Sequence, residues 1–149
     1  MVEVSGDVAF QAMGRDLPPN VMWPYEIEPW KSRASSRALY EDSVAAGGRK
    51  SPTGHLFRGY HALQGLLEGI RKAGSTEVPA VIAALEGLSW DSVIGPYTIR
   101  PQDHAGVGNL FVGTYATQPE EPYVRLKEMV TVPELSVIET PLPGKEYVV

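Results

Sequence analysis

Residues 51–74, SPTGHLFRGYHALQGLLEGIRKAG, decide how the rest of this chain is read. Leu56, Tyr60, Leu63, Leu67 and Ile70 recur at the 3.6-residue period of an α-helix and trace one face. Ser51 has the chemistry of an N-cap, and Pro52 suits the first helical position, where a missing N–H costs no intrahelical bond. Arg71 and Lys72 fall in the last turn, where cations complement the helix dipole, and Gly74 is a ready left-handed cap. The spacing predicts one long amphipathic helix whose apolar face needs a partner.

Downstream, the pattern repeats and then changes. Ser75 or Thr76 stands near a second cap, Pro79 lies in a first turn, Val78, Val81, Ile82 and Leu85 make an apolar face, and Gly87 closes it. Two helices in such quick succession predict a helical hairpin. After Trp90 the period falls to 2: Val93, Gly95, Tyr97 and Ile99 alternate with Ile94, Pro96, Thr98 and Arg100, as in a half-buried strand, and Pro96 argues for an edge. Residues 101–106 have turn chemistry and Leu110 to Tyr115 reads as a strand, so an antiparallel hairpin is expected. Tyr123 to Val132 alternates again, and Pro119, Pro122, Pro133, Pro141 and Pro143 keep the tail extended and peripheral.

Upstream, Pro29 is placed to begin a helix on which Trp30, Ala34, Ala38 and Val44 recur before Gly47-Gly48 ends it. Before it, Val8 to Met13 fits a short strand or a short helix, while Pro18-Pro19 and Trp23-Pro24 enforce extended backbone. The chain thus divides into 1–28, a strand and long loop; 29–118, three helices and a β-hairpin; and 119–149, a Pro-rich extended tail.

Composition limits the functions open to it. A chain of 149 residues, 43% hydrophobic and 21% charged, is long enough for one core and has no run able to span a bilayer, so membrane insertion is not expected. Net charge is -5 and the densest basic cluster is Arg49-Lys50, which offers no stripe for a phosphate backbone and argues against nucleic acid. The absence of cysteine removes disulfide and thiol chemistry and fits a bacterial cytoplasm or periplasm equally. Residues 1–7 lack the basic start and apolar stretch of a secretory signal, which fits a cytoplasmic protein or a piece of a longer one.

No catalytic or metal-binding constellation emerges, and no cofactor is expected. His55 and His61 are six apart and turn to different helix faces, while His104 is remote, so the histidines lack metal-ligand spacing. Ser51, Ser89 or Thr98 could join Asp103 and His104 in a hydrolase only by supposition, since no G-x-S-x-G elbow exists. Asp103 is better suited to accept local backbone donors in the turn, with His104 packing at its edge. Gly106-Val107-Gly108 begins a dinucleotide-like pattern, but Phe111 stands where the third glycine belongs and a strand follows. Glu41-Asp42 and Glu120-Glu121 read as solvated charges. Trp23, Tyr25 and Trp30 lie in or beside a Pro-rich loop, where aromatic surface can meet a ligand or pack over the first helix.

Three segments, in order and register, resemble the C-terminal region of periplasmic leucine, isoleucine and valine binding proteins. Residues 59–75 are similar to that family's aromatic-x-Ala helix ending in Ala-Ile-x-x-Ala-Gly-Ser, with Gly69 standing where a small alanine is usual. Residues 78–88, including Ala83-Ala84-Leu85-Glu86-Gly87-Leu88, look like its following helix. Residues 93–104 look like its strand and turn, in which a Gly-Pro step (Gly95-Pro96) leads to Arg-x-x-Asp-His (Arg100 to His104). More loosely, Asn20 to Tyr25 and Leu39-Tyr40-Glu41 resemble its lobe-connecting loop and next helix, so the likeness covers roughly 15–118.

The resemblance implies an α/β fold that is the C-terminal portion of a type I periplasmic-binding-protein fold, incomplete alone. It implies an extracytoplasmic protein that captures a small polar solute, a branched-chain amino acid or an amide or urea-like molecule, for an ABC permease, without chemistry. Trp23 and Tyr25 match the neighbourhood of an interlobe crossing and are the candidate cleft-lining residues, whereas Tyr60, Gly95, Arg100 and His104 are expected to hold the local structure. Residues 51–88 are expected to cover a parallel sheet built mostly from sequence outside this chain. Failing that sheet, Leu63, Leu67, Ile70 and Leu85 must pack on each other, on the hairpin, or on a second copy, which makes a homo-oligomer through apolar helix faces an expectation too. The alternative reading is an independent interaction module of helical hairpin and β-hairpin with no small-molecule ligand.

Overall fold

A computed structural model describes residues 9, 12–16, 18, 21–25, 33–48, 54–116 and 125–133; residues 9, 12 and 13 are helical, one of the two forms the sequence allows there, and residues 21–25 are a strand where a loop is expected. After a 3₁₀ turn at Gly14–Asp16 come strand β1 (Val21–Tyr25), helices α1 (Ala34–Ala45), α2 (Gly54–Ala73) and α3 (Val78–Leu85), then β2 (Ser89–Ser92), β3 (Gly95–Ile99), β4 (Gly106–Val107), β5 (Asn109–Ala116) and β6 (Arg125–Pro133). The proposed Ser51 cap and Pro52, the helix start at Pro29 and Trp30, and the tail beyond 133 lie outside the described residues.

The helices form where the sequence places them, but two turn a different face inward. On α2 the buried positions are Phe57, Gly65 and Gly69, while Tyr60, Leu63 and Leu67, three of the expected inner residues, are exposed. Adjacent to Gly65 is the Trp90 indole, and adjacent to Gly69 is the Leu85 side chain; a Cβ on either glycine would lie 2.8 Å from Trp90 Cζ2 or 2.6 Å from Leu85 Cδ2. Small residues let α3 and the β2–β3 hairpin approach the helix axis, and close approach selects that face over the leucines. On α1 the buried residue is Ser36, and the expected Ala34 and Ala38 are exposed, because the Ser36 hydroxyl donates to the Val93 carbonyl and draws its own face inward.

The second short helix begins at N-cap Glu77 rather than at Ser75 or Thr76, with Ser75 Oγ accepting the Glu77 N–H at 3.0 Å. Gly74 ends α2 with φ +62° as its cap chemistry requires. Val81 and Ala84 are buried on α3, whereas Val78 and Ile82 are exposed.

The strand expected over 93–100 divides, because Val93 and Ile94 form the turn of a hairpin between β2 and β3. Its register pairs Trp90 with Tyr97 and Ser92 with Gly95, whose φ of +113° only glycine adopts freely. β3 is the middle strand of the β2-β3-β4 sheet, contrary to the edge position expected from Pro96. Pro96 is tolerated because β4 pairs only with Thr98 and Ile99, leaving the proline's other side without a ladder partner to supply.

The hairpin expected across 101–106 exists only as that two-residue pairing. The chain then leaves at Gly108, and β5 enters a second antiparallel sheet of order β1-β5-β6 instead of continuing beside β3. Pro24 lies in β1, an edge strand of this sheet, where a donor-less residue is tolerated, and the β5–β6 register shifts between Val112 and Thr114, where β6 carries one extra residue. The buried apolar residues are Phe57, Val81, Ala84, Val93, Val107 and Phe111.

Candidate functional site

The β2–β3 turn is held from both sides by helices. Its Val93 carbonyl accepts from Ser36 of α1, and its Val93 N–H donates to Gln64 Oε1 of α2 at 3.1 Å. Ser92, almost fully buried, donates from Oγ to the Gly95 carbonyl at 2.7 Å and accepts the Ile94 N–H at 3.1 Å. Arg33, just before α1, pairs with Asp91 and reaches the Ser92 carbonyl at 3.5 Å. These bonds satisfy the Ser92 hydroxyl and the Val93 and Ile94 backbone groups inside the turn, while Arg33 Nε stays buried without a partner among the described residues.

Against this turn lies an aromatic seam. His61 of α2 stacks on Trp90 with ring centroids 5.2 Å apart and planes within 13°, and meets Tyr97 edge-on at 4.3 Å. Trp90 and Tyr97 are the cross-strand pair of the hairpin, tilted at 58° with centroids 5.2 Å apart. Three glycines make room: Gly65 under Trp90, and Gly106 and Gly108 under Tyr97, where added Cβ atoms would lie 2.5 and 2.6 Å from the ring. The Gly106-Val107-Gly108 motif therefore serves aromatic packing at the point where the chain changes sheets. Burial pushes the His61 imidazole below its ordinary 6.5, and both His61 Nδ1 and Trp90 Nε1 are buried without a hydrogen-bond partner among the described residues.

At the end of β3, Asp103 holds the turn in the expected way. Its carboxylate accepts the Ala105 N–H and the Arg100 Nε–H, each at 3.1 Å, and pairs with the second Arg100 nitrogen. Burial by itself pushes the Asp103 carboxyl up, but these donors outweigh it and hold it below its ordinary range. His104, with φ +58°, reaches Glu86 at 3.0 Å on the surface. Gly95, Arg100 and His104 thus have local structural partners, while Tyr60 stands 44% exposed on the bare face of α2.

The two expected cleft residues sit in β1, Trp23 opposite Gly113 and Tyr25 opposite Phe111. Their strand belongs to the other sheet from the seam, and their side chains lie outside the described residues, as does Trp30. Neither β1 residue shares a strand ladder with His61, Trp90 or Tyr97. The sequence does not show the seam: for His61 it gives only a lack of metal-ligand spacing, and Trp90 only marks a change of period. Its one available signal is the run Ser89 to Thr98, which folds symmetrically about Val93-Ile94 and so sets Trp90 against Tyr97. Among the described residues no group of three or more His, Asp or Glu could hold a metal ion, and no helix is long and apolar enough to cross a membrane.

Comparison with solved structures places this arrangement in a known fold. A protein described as an ABC-type branched-chain amino acid transporter from Rhodopseudomonas palustris superposes with a TM-score of 0.74 at 17% identity, over 95% of this chain and 37% of its own. An ABC-transporter solute-binding protein from the BisB5 strain of the same species, in complex with 3,4-dihydroxybenzoic acid, gives 0.70 at 20% identity, over 85% of this chain and 34% of its own. A leucine-, isoleucine-, valine-, threonine- and alanine-binding protein from Brucella ovis gives 0.64 at 17% identity, over 83% and 33%. The fold is a portion of the α/β type I periplasmic-binding architecture, and this chain spans about a third of the length of these relatives. A family model described as periplasmic binding protein matches residues 5–119, and the chain belongs to that family. No curated protein matches it.

Proposed function

We propose that this chain forms the C-terminal part of an extracytoplasmic solute-binding protein that captures a small polar solute and delivers it to an ABC permease, without catalysing a reaction. The family match over 5–119 carries this reading. The solute favoured by the sequence resemblance is a branched-chain amino acid or an amide or urea-like molecule. The dihydroxybenzoate-bound neighbour adds aromatic acids to the set worth testing. Residues 1–28 serve as strand and lobe-connecting loop, 29–118 as the lobe segment, and 119–149 as an extended tail, with Trp23 and Tyr25 lining the cleft.

The exposed Leu63, Leu66, Leu67, Val78 and Ile82 favour this over an independent interaction module, since a self-sufficient domain of this size rarely leaves so much adjacent helix surface apolar. The test is calorimetric titration of the chain rejoined to its upstream coding sequence with leucine, isoleucine, valine, small amides, urea and hydroxybenzoates. Binding of one class supports the proposal, and loss of affinity in Trp23→Ala or Tyr25→Ala assigns the cleft. A folded longer protein that binds none of them, or an in-frame stop directly upstream of Met1, contradicts it.

A further inference from the structure

We infer that His61 is a proton-operated latch that holds α2 to the β2–β3 hairpin when neutral and loosens that joint under mildly acidic conditions. Among the described residues the imidazole is the one ring that α2 brings to the seam, and it touches both aromatic rings of the hairpin, stacked on Trp90 and edge-on to Tyr97. Its Nδ1 is enclosed and meets no acceptor among the described residues, so an imidazolium formed in place would bury a donor and a charge with none of them to receive it.

The surrounding charges act in the same direction. Arg58 lies one turn earlier on the same side of α2 and faces Tyr97, so a protonated His61 gains a like-charged neighbour. From the hairpin, Tyr97 meets the imidazole edge-on and brings no carboxylate to it. Asp91, beside Trp90, is committed to Arg33, and Asp103 and Glu86 are taken up by Arg100 and His104 beyond the far end of β3. Gly65, Gly106 and Gly108 bring no charge to the seam. Stacking on Trp90 offers a cation some attraction, but burial is the cause that prevails in holding the imidazole below 6.5.

The sign follows from linkage. A group whose proton affinity is weaker in the closed joint than in the open one takes up its proton on opening, so acidification favours opening. Below about pH 6.5 the opening equilibrium rises by at most about tenfold per pH unit, the limit for one proton, until the closed form also protonates. Above that pH the latch is neutral in both states and the joint is insensitive to pH.

Two measurements on the full chain test this. The His61 imidazole, followed by carbon-detected NMR between pH 8 and 5, should titrate below 6.5, while the Trp90 indole N–H loses protection from exchange over the same interval. In His61→Phe, which keeps a stacked ring without a titratable nitrogen, the pH dependence of Trp90 exchange should vanish. A His61 that titrates at or above 6.5, or a wild-type Trp90 exchange that is flat with pH after correction for intrinsic exchange, overturns the inference. So does an unchanged pH dependence in His61→Phe. Should that variant fail to fold, the wild-type titration and exchange profile decide alone.

Discussion

Helix α2 presents two faces with opposite logic. One carries Phe57, His61, Gly65 and Gly69 and is covered by the hairpin and α3; the other carries Tyr60, Leu63, Leu66 and Leu67 and is about half exposed at each position. By hydrophobicity the second face should be inside. What puts the first one inside is closeness of approach: glycine admits a flat indole and a leucine to within contact of the helix backbone, and many dispersion contacts follow. The leucine face remains exposed, and on the proposed reading it is the surface that the rest of a binding protein would cover.

That contrast can be broken at its strongest point by removing the seam. Trp90→Ala takes away the ring against both His61 and Gly65 and should lower stability by about 3 kcal/mol, measured by urea unfolding. Gly65→Val should cost about 2 kcal/mol, because its branches meet a rigid ring that cannot fold away. Gly69→Ala should cost well under about 1 kcal/mol, since the obstacle is the end of the flexible Leu85 side chain and alanine's helix propensity offsets the shift. A Gly65 variant as mild as Gly69→Ala would show that close approach is not what selects the inner face. On the other side, Leu63→Ser or Leu67→Ser should change stability by no more than about 0.5 kcal/mol in this chain.

The smallest effect is electrostatic. Asp103 is held below its ordinary range, so its contribution is present at neutral pH and is lost as pH falls through its lowered value. Asp103→Asn should flatten the acid limb of the stability curve by up to one proton and leave the region above pH 5 without that slope.

How much of this was legible in the sequence depends on what kind of signal each element carries. Periodicity locates α2 and α3 because a helical repeat is a local property, and glycine and proline mark their limits at Gly74 and Pro79. The inward face of α2 was misread because the pattern assumes that a core is present to cover the leucines. Ser36 was missed for a related reason: a buried hydroxyl is specified by the carbonyl it meets, Val93, which lies 57 residues away. The switch of sheets at Gly108 leaves no periodic trace, since β4 and β5 are separated by one residue and alternate alike. Asp103 was readable because its partners, Arg100 and Ala105, are within three positions of it. For Trp23 and Tyr25, Pro24 gives away extended backbone but the segment reads as loop, because the pairing of β1 with β5 joins positions about 90 apart that no local pattern links.

On the proposed reading, the leucine face of α2 is covered by the remainder of a binding protein. The chain contains no cysteine, so Leu67→Cys supplies a single thiol at the middle of that face. Its rate of alkylation should be near that of a free thiol in the 149-residue chain and lower by at least about 100-fold when the upstream coding sequence is restored. Equal rates in the two proteins, with both folded, would contradict the account.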